Sequence, residues 1–140
     1  MAVKLIFMLK RKPGVTKEQF REHYEKSHSV LGRKYIGHLL TGYHRNYPVH
    51  ASLSPSKQRE TGEPSPEVDF EWDVITEMRV KDQAAVEEMV KIFNDPEIGP
   101  IFVEDEHRFL DRDQVLMLVC DEMNTGTELN PGEEAQSTGL

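Results

Sequence analysis

His28 is the residue that the sequence best places to do chemistry. It closes the run Phe20-Arg21-Glu22-His23-Tyr24-Glu25-Lys26-Ser27-His28. On a helical wheel of about 100° per residue, Tyr24, Ser27, His28 and Leu31 fall within roughly 80° of Phe20. His28 thus sits on the shoulder of an apolar stripe. An imidazole aimed at an apolar interior can take or give a proton near neutral pH, the step shared by isomerisation, decarboxylation and aldol-type cyclisation. The competing reading is a hydrogen-bonded histidine at a helix end, where the macrodipole favours its cation.

Three further groups could work beside it. Tyr43, Arg45 and Tyr47 alternate along a strand-like stretch and share one face. Tyr43 and Tyr47 can donate a phenol hydrogen bond to a substrate carbonyl or enolate, and Arg45 can hold a carboxylate bidentately. As strand residues they also read simply as packing. Asp73, beside Trp72, looks like a carboxylate inside a mostly apolar sheet. Such a group must be paired, protonated or functional, and Asp73 is a candidate to orient His28 or act as base. The expected catalytic set is His28, Tyr43 and Asp73; Phe7, Tyr24, Arg45, Tyr47, Trp72 and Phe102 are the expected substrate contacts.

Metal and nucleotide chemistry find no support in the spacing. His38, His44, His50 and His107 form no ligand pattern, and His23 and His28 lie five apart, about 140° from each other on an α-helix. No metal and no cofactor are expected. Haem stays open, because a single axial histidine leaves no spacing pattern. Cys120 is the one cysteine; late in an apolar strand without a fixed histidine partner, it reads as core.

The elements that must position these groups follow from periodicity. Val3 to Leu9 is nearly continuously apolar, as in a central strand covered on both faces. Pro13-Gly14 breaks it. Thr16, with Gln19 three residues on, makes a capping box for a helix running to about Val30 or Leu31 and ending at Gly32. A further helical turn or loop (33–40) leads to an edge strand over 43–49. Residues 51–67 form a Ser/Pro-rich insertion, of a length that usually signals function or mobility. Phe70 to Val80 is a strand with Trp72, Val74, Thr76 and Met78 on one face. Asp82 caps a second helix carrying Val86, Met89, Val90 and Phe93 inward. Glu97 to Phe109 is a short helix or irregular segment pointing Ile98, Ile101 and Phe102 inward. Val115 to Cys120 is again fully apolar and so reads as central; beyond 121 periodicity is lost, and 122–140 is expected to be a flexible tail.

The order is β-α-β-β-α-β. Two right-handed β-α-β units place both helices on one face of a four-stranded antiparallel sheet, a ferredoxin-like α+β sandwich. The other face has no sequence left to cover it, so a second copy of the chain is the expected cover, giving a homodimer joined through sheet faces.

Composition narrows the function classes. At 140 residues and 37% apolar the chain fits one domain, here 1–121. No run approaches the roughly 18 apolar residues that span a bilayer, so no membrane partner is expected. A single cysteine fits a reducing, cytoplasmic location. The net charge of −8 is uneven: residues 1–60 hold twelve of the Lys/Arg and four of the Asp/Glu. The basic residues interleave with core positions, without the aromatic–basic pattern of a nucleic-acid module, so the two halves are expected to attract each other and no nucleic acid is expected to bind.

The stretch Lys4-Leu5-Ile6 … Leu9-Lys10-Arg11-Lys12-Pro13-Gly14, then Glu18-Gln19-Phe20-Arg21 … Tyr24 … His28, with Asp105-Glu106 and Phe109 near the end, resembles the EthD family of the dimeric α+β barrel superfamily. The resemblance implies a ferredoxin-like dimer with a small-molecule pocket between sheet and helices, and His28 matches the histidine of the family's helix motif. The superfamily holds cofactor-free lactone isomerases, aromatic polyketide cyclases, cofactor-independent oxygenases and some haem enzymes. EthD members occur beside oxidative degradation pathways, aromatic degradation among them, and among fungal polyketide-tailoring decarboxylases or dehydratases. Residues and resemblance together point to a cofactor-independent enzyme of lyase or isomerase type. It would act on a small apolar oxygenated substrate, aromatic, lactone or polyketide-like, in a catabolic or tailoring pathway. The alternatives are a non-catalytic small-molecule-binding accessory to an oxygenase pathway, and a cofactor-free or haem-dependent monooxygenase.

Overall fold

The computed structural model describes residues 3–53 and 58–124. Strand β1 (Val3–Leu9) leads through a turn, with Gly14 at φ 87°, into a long helical run. That positive φ is the reason a glycine follows Pro13. The run comprises α1 (Lys17–His23), a π-helical turn (Tyr24–His28) and α2 (Ser29–Ile36). The Thr16 hydroxyl accepts from Gln19 N–H at 3.1 Å and the Gln19 side chain accepts from Thr16 N–H at 2.9 Å, completing the expected capping box. Gly32 does not end the helix. It is buried inside α2 against Tyr43, whose hydroxyl would stand in ordinary contact, 3.7 Å, from a Cβ there, and the helix continues through Ile36.

A 3₁₀ turn (Gly37–Leu39) feeds β2 (Leu40–Asn46), which begins and ends earlier than its sequence pattern suggests. In the β2–β3 connection a bridge pairs Ser52 with Glu67 and a short helix, α3, covers Gln58–Thr61; residues 54–57 of the insertion lie outside the described residues. β3 (Val74–Val80) starts after Trp72 and Asp73, not at Phe70. Asp82 caps α4 (Gln83–Phe93) by accepting from Ala85 N–H at 2.8 Å. The segment after it is a regular helix, α5 (Gly99–Phe109), and β4 (Leu116–Asp121) completes the sheet. The expected tail from 125 onward lies outside the described residues.

The sheet is antiparallel with order β2-β3-β1-β4, so the fold is ferredoxin-like α+β. Opposite residues share a face. Leu5 pairs with Met78 and Val119, and Phe7 with Thr76 and Met117, all toward the helices; Ile6 pairs with Glu77 and Leu118 on the other face. The topology corrects one expectation. β4 is an edge strand, not a central one, and its apolar residues stay largely open, Met117 at 55% and Val119 at 65%. Continuous apolarity marks surface that wants covering; it does not say that the same chain supplies the cover.

Two apolar clusters form the core. One gathers Val3, Leu5, Ile36, Leu39, Met78, Val80, Ala85 and Met89 at one end of the sheet. The other gathers Leu9, Phe20, Tyr24, Val74, Phe109 and Leu110 at the opposite end. Fully burying a side chain such as Phe20 stabilises by about 2–3 kcal/mol. Phe7 and Tyr43 pack against both clusters, and the seam between the clusters is where the helices stand off from the sheet.

Candidate functional site

That seam holds a cavity of about 290 Å³. Phe7 and Leu9 of β1, Tyr43 of β2 and Met78 of β3 form its floor, and Tyr24, His28, Ile36, Phe102 and Glu106 form much of its helical wall. Among the described residues no lysine or arginine lines it. Four of the expected site residues therefore share the cavity with His28: Phe7, Tyr24, Tyr43 and Phe102.

His28 enters from the π-turn. Its Nδ1 lies 3.0 Å from Asp105 Oδ2, and no hydrogen bond engages Nε2 among the described residues. With the carboxylate accepting at Nδ1–H, the imidazole presents the Nε2 lone pair, the tautomer a general base needs. Burial pushes its pKa below the ordinary 6.5, outweighing the hydrogen bond and charge of Asp105 that favour the cation. His28 is thus neutral at pH 7. Its ring packs edge-on to Tyr24 and Phe102 and tilted against Phe109, which holds the plane of the imidazole.

Asp105 is the residue that the sequence reading left without a role. Its side chain is 3% exposed, and its other oxygen, Oδ1, takes Ser27 Oγ at 2.6 Å and His23 Nε2 at 3.0 Å. Burial works against its charge, but the bonds from Ser27 and His28 and the nearby imidazoles hold its carboxyl below the ordinary carboxylate range. The signal was present: Phe102, Asp105 and Phe109 are spaced three and four apart, which puts an aspartate on the buried stripe of α5.

The π-turn explains why two histidines five apart can meet one carboxylate. Ser29 N–H donates to the Tyr24 carbonyl, an i→i+5 closure that widens the turn. On an α-helix His23 and His28 would diverge; here both reach Asp105. π-bulges of this kind are frequent at functional sites.

Tyr43 donates its hydroxyl to Tyr24 Oη at 3.3 Å, and Tyr24 and Thr76 share a hydrogen bond of 2.7 Å between buried hydroxyls. Burial raises the pKa of both phenols, so they remain neutral donors. Among the described residues Glu106 is the one carboxylate lining the cavity, with Arg112 Nε 3.8 Å from it.

The remaining expected site residues lie elsewhere. Asp73 precedes β3 and accepts from Arg11 N–H at 2.8 Å, tying the end of β1 to the start of β3. It is not brought to His28; Asp105 fills the orienting place instead. Arg45 forks onto Glu25 at 2.8 and 3.0 Å, and Tyr47 donates to the same carboxylate at 2.6 Å. Facing the helices, this trio fastens β2 to the helical run and leaves Arg45 engaged. Trp72, under Lys10 Nζ at 5.4 Å, lines a separate open hollow of about 940 Å³ that Asp73 and Tyr47 also border. Cys120 is half-buried on the edge strand rather than in the core. Among the described residues no group of three or more His, Cys, Asp or Glu is arranged to hold a metal ion, and no helix is long and apolar enough to cross a membrane.

Comparison with solved structures returns the same architecture. An ethyl tert-butyl ether D (EthD) family protein from Bacillus halodurans C-125 is 23% identical, with 88% of this chain and 100% of that one covered at a TM-score of 0.57. A dimeric protein of unknown function with a ferredoxin-like fold from Bacteroides fragilis is 10% identical over 86% and 96%, at 0.52. A NIPSNAP-like domain protein from Burkholderia xenovorans is 14% identical over 99% and 97%, at 0.55. At these identities the likeness is one of fold. No protein of curated function matches significantly. The EthD domain model matches residues 12–113, from the β1–α1 turn past α5, and so takes in the helical run with His28 and the helix with Asp105: the chain belongs to the EthD family.

Proposed function

We propose that the protein is a cofactor-independent enzyme that moves a proton on a small, uncharged, oxygenated substrate, with chemistry of the lyase or isomerase type. The observation that carries this reading is the His28–Asp105 pair, whose free Nε2 belongs to a side chain lining an apolar cavity. Asp105 fixes the tautomer and stabilises the imidazolium that forms when Nε2 takes a proton. Tyr43, by turning its hydroxyl from Tyr24 to the substrate, supplies a hydrogen bond to a carbonyl oxygen as it gains enolate character. A positioned base of this kind is worth about 10²–10⁴ in rate. A cavity of about 290 Å³ is at the lower end of ligand pockets and suits one or two rings rather than a porphyrin. The apolar lining, together with Glu106 at its wall, favours hydroxyl and carbonyl groups over a substrate carboxylate.

A binding protein without chemistry is less well supported. A histidine kept only for packing needs no buried carboxylate on Nδ1, and that carboxylate stands against the desolvation that burial imposes.

The proposal includes a homodimer. The sheet face away from the helices carries Ile6, Met8, Ile75, Leu116 and Leu118 at one end and the ion pairs of Lys4, Glu77, Arg79 and Glu122 at the other. A second copy apposed on this face would bury the apolar end, as in an obligate interface.

The experiment is deuterium exchange. A panel of small lactones and cyclic ketones in D₂O is followed by ¹H NMR for loss of the C–H beside the carbonyl. Exchange above the buffer rate that disappears in His28→Asn supports the proposal. The asparagine keeps a donor toward Asp105 while removing Nε2. Exchange at the buffer rate across the panel, or unchanged in that variant, overturns it.

A further inference from the structure

Asp105 does not serve His28 alone. His23 Nε2 stands 3.0 Å from one oxygen of the carboxylate and His28 Nδ1 stands 3.0 Å from the other. The two imidazoles differ in what else they meet. His28 lines the cavity; His23, 23% exposed and stacked on Phe109 at 4.6 Å between centroids, faces the solvent side of the helix. We propose that His23 is a positioning residue acting on His28 through Asp105: the imidazole–carboxylate–imidazole bridge accommodates one added proton, so a charge on His23 turns down the basicity of His28.

The bridge sets one negative charge between two bases. With both imidazoles neutral, each N–H donates to the carboxylate, and the single negative charge can stabilise one imidazolium. A proton on His28, taken from substrate, uses it. A proton on His23, taken from solvent, uses it first and leaves His28 to form its cation in a buried site without a free counter-charge, which is costly. The other charged groups at the bridge do not replace that carboxylate. On α5, Arg108 Nη1 lies 3.8 Å from Asp105 Oδ1 and adds positive charge. Glu106 favours a charged His28, but more weakly than Asp105. On the helical run, Glu22 and Lys26 pair with each other at 2.9 Å, and the sheet contributes the neutral phenol of Tyr43. His23 itself lowers the proton affinity of His28, in the sense the bridge requires. The π-turn is what makes the bridge possible, since it brings the i and i+5 side chains to one carboxylate.

The inference deepens the reading of His28 as base, but its test needs no substrate. The protonation of His28 is followed by ¹H–¹⁵N NMR of its ring from pH 4 to 9 in the wild type and in His23→Gln. The glutamine amide reaches to where Nε2 stood, donates to Asp105 and carries no charge. The wild-type curve for His28 is expected to be broad, with a second inflection that reports the charge on His23. In His23→Gln it is expected to become a single step, with its midpoint raised by about 0.5 pH unit. A residue that only braced the fold would lower the melting temperature and leave that midpoint in place. A single wild-type step unmoved in the variant overturns the coupling, while the exchange experiment on His28 would still stand. Should the variant not fold, the presence or absence of the second inflection in the wild type decides.

Discussion

Replacing Asp105 by asparagine should move a proton on the neighbouring ring. Every group around the carboxylate is a donor: Ser27 Oγ at 2.6 Å, His23 Nε2 at 3.0 Å and Arg108 at 3.8 Å crowd Oδ1, and His28 Nδ1 approaches Oδ2 at 3.0 Å. An asparagine keeps its one oxygen where three donors converge, so its amide N–H₂ turns to His28. Two N–H groups cannot face each other at hydrogen-bond distance, and His28 shifts its proton to Nε2. The lone pair then points at the new amide nitrogen rather than into the cavity, and the base is lost. The expected cost to a proton-transfer reaction is about 10²–10⁴ in rate. Charge-assisted bonds contribute about 1.5–3 kcal/mol each, and the variant keeps neutral versions of most, which leaves a loss of about 2 kcal/mol in stability. The assay is ¹⁵N NMR of the imidazole near pH 7.5. Nε2 should give an unprotonated signal in the wild type and a protonated one in the variant. Because Asp105 titrates below its ordinary value in the fold, its contribution is complete above about pH 4 and is lost as pH falls through the folded-state pKa. Nδ1 still carrying the proton in Asp105→Asn would refute the reasoning.

Three further outcomes test other parts of the account. In Gly99→Ala the new Cβ would stand 2.6 Å from the Phe93 carbonyl, so α4 and α5 must separate at the cavity wall; thermal unfolding should show a loss of about 1–3 kcal/mol. Glu25→Gln removes the carboxylate that Arg45 and Tyr47 share. Glu25 is partly exposed and screened, so the expected loss is about 1 kcal/mol, with His28 titrating as before. Arg45 above all, with Tyr47, holds the Glu25 carboxyl down to about 2 against the cost of burial, so its stabilisation is complete above pH 4.5 and disappears as pH falls toward 2. Melts of wild type and variant should converge in that window. Leu118→Glu places a charge in the middle of the uncovered sheet face, and light scattering should find a dimer for the wild type and a monomer for the variant.

How far the sequence was legible differed between strands, helices and site. The capping box at Thr16, the Asp82 cap and the alternation of Val74, Thr76 and Met78 are local rules, and they hold in the structure. Gly32 misled because it lies buried within α2, packed against Tyr43, rather than at a helix end. β4 misled because continuous apolarity reads as burial within the chain, whereas β4 is an edge strand on which Met117 and Val119 stay open. The site was half legible. The wheel placed His28 on the shoulder of the apolar stripe, and alternation placed Tyr43 on one face with Arg45 and Tyr47, the face that the structure turns to the helices. Its carboxylate was sought on Asp73 because that residue neighbours Trp72, yet Asp73 turns its oxygens to Arg11. The partner comes from α5, 77 residues along the chain, and the geometry that joins it to both histidines depends on a π-turn that α-helical periodicity does not describe.

A crystal soaked with small aromatic and lactone ligands decides whether the cavity beside His28 takes a substrate. Ligand density is expected in the cavity between sheet and helices, with an oxygen or an acidic carbon of the ligand within about 4 Å of His28 Nε2 and Asp105 still on Nδ1. Ligands bound only in the hollow beside Trp72, or a cavity that stays closed with His28 turned onto a backbone carbonyl, would contradict it.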